Sequence, residues 1–286
     1  MGSARRHLSR PVIGRHFERG RRAARAEPQA DSWRVTAYES GDDERQPTKV
    51  GSTETTDGGA FTISLESAEP ADDAVVYFVA APNGPAQRGV LAAVVADPST
   101  PENLAGLIVN ERTTVATSFA MAQFVSTDGI VGTAPGVVNS AAMAGNLVDP
   151  RTGELAEVIS SSPNVSESST LPAFQSLVGM LSACVGDDDA CAALLDAAAP
   201  AGGEEPVDTF RAFADIAKHP ANAVVPLFDL AQQGALPSQP GLAAAPDAWT
   251  LALRFDGDGQ SLDDPGNFAI DKAGSSSAVR PTAAAG

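Results

Sequence analysis

Histidine, cysteine and aromatic residues are all scarce in this chain, and each scarcity excludes something. Three histidines and two cysteines occur in 286 residues, and aromatics make up 5%. His7 and His16 sit among arginines near the N-terminus, leaving His219 as the one histidine of the body. Histidine-based triads and zinc centres need a richer set, so neither fits this sequence. There is no nucleophile elbow, no phosphate-cradling glycine loop followed by Lys, and no His-Glu-x-x-His stretch. The chain reads as a protein that is not an enzyme and carries no cofactor or metal. Long apolar runs are also missing. Residues 74–81 and 90–96 are the longest, well short of the 18 or so residues of a membrane span. Small aliphatic residues, 26 Gly and 21 Pro take the place of large rings, so small-residue cores and many turns are expected.

Charge is unevenly placed. The first 30 residues hold eight Arg and no Lys against Glu18 and Glu27, a net of +6. The remaining residues hold 34 acids and 11 bases, a net of −23, which gives the formal −17 of the whole chain. A body this acidic repels phosphate backbones, so nucleic acid is excluded as its partner. High-salt solubility and ordinary solvation both account for the acidity. The basic stretch lacks the 7–15-residue apolar core of a signal peptide, since Pro11-Val12-Ile13 is all it offers. Two readings stand: a start codon assigned elsewhere than the true one, or a disordered basic arm.

Residues 33–110 read as strands. Trp33, Val35 and Ala37 alternate with polar neighbours, and Phe61, Ile63 and Leu65 repeat the pattern after a Gly58-Gly59 turn. The runs 74–80 and 90–96 suit strands covered on both faces. The period then changes. Val115, Phe119 and Ala122 are spaced for a helix capped by Thr113 or Thr114. Further helices are expected over 137–148, along the stripe Leu171, Phe174, Leu177, Val178 and Leu181 with Thr170 as its cap, and over 190–198, 210–218 and 222–233. Residues 160–170 read as a Ser-rich loop, 249–255 and 268–270 as strands. The spacing predicts an α+β, multidomain chain: a basic arm (1–30), a β-sandwich (31–111), an all-α domain of five to seven helices (112–236), then a linker, two short strands and a disordered tail (237–286).

The remaining candidates each have a plain reading beside the functional one. Cys184 and Cys191 flank a short acidic loop between two helices, and suit either a disulfide or two buried thiols. A disulfide would point outside the cytosol. Asp187, Asp188 and Asp189 between them suit capping of the following helix. Asp256-Gly257-Asp258-Gly259 opens like a calcium loop, but Ser261 and Asn267 stand where Gly and Glu belong, so an acidic turn is the plainer reading. Asn164-Val165-Ser166 matches a glycosylation site as short sequences often do by chance.

Several blocks together resemble the region that precedes the β-propeller in bacterial NHL-repeat, streptogramin-lyase-like proteins. They are Val109-Asn110-Glu111-Arg112-Thr113-Thr114-Val115-Ala116, Asn146-Leu147-Val148-Asp149-Pro150 with Thr152-Gly153, Ser182-Ala183-Cys184 with Cys191-Ala192-Ala193-Leu194, Ala245-Pro246-Asp247-Ala248-Trp249-Thr250-Leu251-Ala252-Leu253, and Pro265-Gly266-Asn267-Phe268-Ala269-Ile270-Asp271. The front part is similar to the carboxypeptidase-regulatory or bacterial immunoglobulin-like modules of surface proteins, and implies an Ig-like or prealbumin-like sandwich. In such proteins the last block opens a first blade. Here Lys272-Ala273-Gly274-Ser275 follows, so truncation or a frameshift near Lys272 is expected. The resemblance implies a non-catalytic, extracytoplasmic accessory module with a protein or carbohydrate ligand at the cell surface. The alternative is a prodomain fragment of a streptogramin-lyase-like enzyme.

Overall fold

The computed structural model describes residues 11–14, 33–56, 58–65, 74–83, 88–99, 104–235, 238–255, 267–270 and 276–279. An antiparallel sheet comes first and a helical region follows, an α+β arrangement. Four strands, β2 (Trp33–Glu39), β3 (Thr48–Glu54), β5 (Val76–Pro82) and β6 (Leu91–Val95), form the sheet in the order β3-β2-β5-β6. A separate ribbon pairs β1 (Pro11–Gly14) with β4 (Phe61–Ser64). The stretch expected to be a basic arm thus contributes a strand at Pro11-Val12-Ile13, its one apolar patch.

The period-two signal in β2 is real. Trp33, Val35 and Ala37 are buried while Arg34 is exposed. Cross-strand pairs Ala37–Phe78 and Val35–Ala80 extend this face across the sheet. Strand β4 lies over it. Gly51, paired with Ala37, makes the approach possible, because a Cβ there would stand 2.6 Å from the Ser64 carbonyl oxygen. On the opposite face Tyr38 stacks on Tyr77 with ring centroids 5.3 Å apart, and Tyr77 on Phe210 at 6.3 Å. With both faces covered, all five residues of β6 are buried, as its unbroken apolar run predicts.

Eight α-helical segments occur among the described residues: α1 (Glu111–Ala120), α2 (Gly136–Ala144), the single turns α3 (Glu157–Ser160) and α4 (Asn164–Glu167), α5 (Thr170–Gly186), α6 (Asp188–Ala198), α7 (Thr209–Lys218) and α8 (Val224–Gln233). The stripe on α5 buries Phe174, Leu177, Val178 and Leu181 as its spacing predicts. Sheet and helices share one continuous hydrophobic cluster, from Trp33 to Trp249.

Four local expectations differ from what is observed. The cap of α1 is Asn110, one turn earlier than Thr113 or Thr114, and the cap position of α5 is Ser169, one residue before Thr170. The Ser-rich stretch contains α4, because Asn164 is drawn into the interior. Residues 249–255 form no ladder; they alternate inward and outward as a strand would, but one backbone bond, from the Trp249 amide to the Pro220 carbonyl at 2.7 Å, and several side chains hold them. Thr170 Oγ1 donates to the Ala252 carbonyl at 2.6 Å, and Asn164 binds Arg254 through both N–H and C=O. Further on, β7 (Asn267–Ile270) and β8 (Ser276–Val279) pair antiparallel.

Candidate functional site

Where the sheet meets the first helix, a hydrogen-bonded hub is built from the first resemblance block. Asn110 caps α1 by accepting from the Thr113 amide at 2.9 Å, while Thr113 Oγ1 accepts from the Asn110 amide at 2.9 Å. Thr113 Oγ1 has one proton, and the Ala92 carbonyl lies 2.9 Å away to receive it. Thr114 Oγ1 accepts from the Ala92 amide at 2.8 Å and donates to the Asn110 carbonyl at 2.6 Å. Both edge-facing groups of Ala92 are therefore satisfied by a helix where another strand would otherwise sit. Thr209 Oγ1, at the start of α7, does the same for the Val90 carbonyl at 2.5 Å. The Asn110 side-chain Nδ2 donates to the Gly153 carbonyl at 3.1 Å, and Arg112 ion-pairs with Glu154. Gly153 has φ +68°, and a Cβ on it would meet Ile108 Cγ2 at 2.5 Å and Asn110 Nδ2 at 2.6 Å.

Beside this hub lies a cleft of about 370 Å3. Its floor is β6 from Ala93 to Val95 with Thr113, Ala116 and Thr117 of α1, and its walls include Ala141, Ala144 and Val148. These floor and wall residues are buried, whereas Asp97, Ala142, Gly145 and Arg151 at the mouth are exposed. In an antiparallel strand, backbone groups two residues apart point to the same side. Ala92 turns its N–H and C=O to the outer edge, and β5–β6 pairing is unshifted, so Val94 turns its own the same way. The edge groups of Val94 have no hydrogen-bond partner among the described residues. Thr117 lies one turn beyond Thr113, where α1 has diverged from the strand. A second cavity of about 320 Å3, lined by Gln175, Ser176, Gln232 and Gly241, is bridged by the Leu242 amide donating to Ser176 Oγ at 2.8 Å.

Cys184 and Cys191 meet at disulfide distance across the α5–α6 corner, away from the cleft lining. Asp187 caps α6 as expected, accepting from the Asp189 and Ala190 amides at 2.9 and 3.0 Å. His219 stands at the C-terminal end of α7, where the helix dipole favours it. Asn164 is 1% exposed and its amide donates to the Val158 and Arg254 carbonyls, so the apparent glycosylation site is structural. Residues 256–266 of the calcium-like stretch lie outside the described residues. Among the described residues, no group of three or more His, Cys, Asp and Glu side chains could hold a metal ion, and no helix is long and apolar enough to cross a membrane.

Among the described residues, three groups have shifted acidities. Burial pushes the Tyr77 hydroxyl up to about 12. Hydrogen bonds from Arg45 hold Asp42 below the usual range, and those from Asn83 and then Arg34 do so for Glu54. None of the three lines the cleft.

The cleft was not read from the sequence. The signal was the spacing of Thr113, Thr114 and Thr117, three hydroxyls on the buried side of one helix. Comparison with protein-family models, with curated proteins and with solved structures finds no match to the chain.

Proposed function

We propose that this chain is a non-catalytic, extracytoplasmic binding module of the kind that precedes NHL-type propellers. The observation that carries this reading is the hub around Asn110. The residues of the first resemblance block satisfy one another and the edge of β6, so their polar chemistry serves architecture. In this reading the β1–β4 ribbon over the sheet is a reduced Ig-like sandwich, resting on the approach at Gly51. The disulfide-distance pair supports a compartment outside the cytosol. A protein or carbohydrate of the cell surface is the partner class.

The test is retention of the purified, folded chain on isolated envelope polysaccharide and envelope protein, alongside hydrolase and lyase assays. Saturable retention without turnover is expected. Turnover of a substrate, abolished by a point substitution that leaves the melting curve unchanged, overturns the reading.

A further inference from the structure

We draw no further inference here: the strongest candidate, the cleft of about 370 Å3 between β6, α1 and α2, carries nothing, because nothing in the structure shows what covers the open edge of β6 at Val94 or the small-residue walls beside it.

Discussion

The Ala92 amide donates to Thr114 Oγ1 at 2.8 Å, one of the contacts that join the sheet to the helical region. Ala92 sits on the last strand of the sheet and Thr114 in the first turn of the first helix. An exposed strand edge invites pairing with other chains, and here the helix start blocks it at Ala92. The same contact defines the cleft, because the open edge begins where the threonines stop.

Thr114→Val should leave the Ala92 amide buried without its acceptor. A loss of about 1–3 kcal/mol in urea unfolding is expected, whereas Thr114→Ser should keep most of the stability. Equal losses would mean that the methyl group, not the hydroxyl, matters at this position.

Gly153→Ala should cost more than Gly58→Ala. Both glycines have positive φ, at +68° and +88°, so each substitution carries about 1–2 kcal/mol of backbone strain. A Cβ on Gly58 meets nothing within 4 Å, whereas one on Gly153 collides with Ile108 and Asn110. Differential scanning calorimetry of both variants checks this; equal losses would show that the hub yields to the methyl group.

Asn164→Ala should release residues 249–255 from the helical region, since three hydrogen bonds to Val158 and Arg254 are lost. Faster limited proteolysis within that segment is expected. In a glycosylating host, intact-mass measurement of the folded wild-type protein should find Asn164 unmodified.

Tyr77 sets an alkaline limit to stability. Its hydroxyl is raised to about 12 in the folded protein from 10.0. The folded state therefore holds its proton where the unfolded state releases it. The resulting stabilisation is fully present below about pH 10 and is lost as pH rises towards 12, at most about 2.7 kcal/mol. Tyr77→Phe should flatten the decline in unfolding free energy over that window; an unchanged decline would point to other groups.

Periodicity made much of the fold legible. The alternation of Trp33, Val35 and Ala37, the unbroken run of β6 and the stripe on α5 each state their burial locally. Asp187 was legible as a cap because carboxylates at a helix start have a local use. Thr113 and Thr114 were not, because their partner Ala92 lies 21 and 22 residues back and hydroxyls carry no record of distant acceptors. Asn164 resembled a glycosylation site for the same reason: its partner Arg254 lies 90 residues on. The alternation of Trp249, Leu251 and Leu253 predicted a strand, yet alternation reports only which side is buried, and here the side chains of Asn164 and Thr170 bind the backbone of Arg254 and Ala252 where a strand would pair. The cleft belongs to three elements at once and has no single-segment signature.

Thiol trapping in fractionated native cells tests the central claim of an extracytoplasmic module most directly. Free thiols are blocked at lysis, and the redox state of Cys184 and Cys191 is read by mass in each fraction. The expected result is chain outside the cytoplasm with both cysteines protected as a disulfide. Cytoplasmic chain with both thiols alkylated would contradict the account.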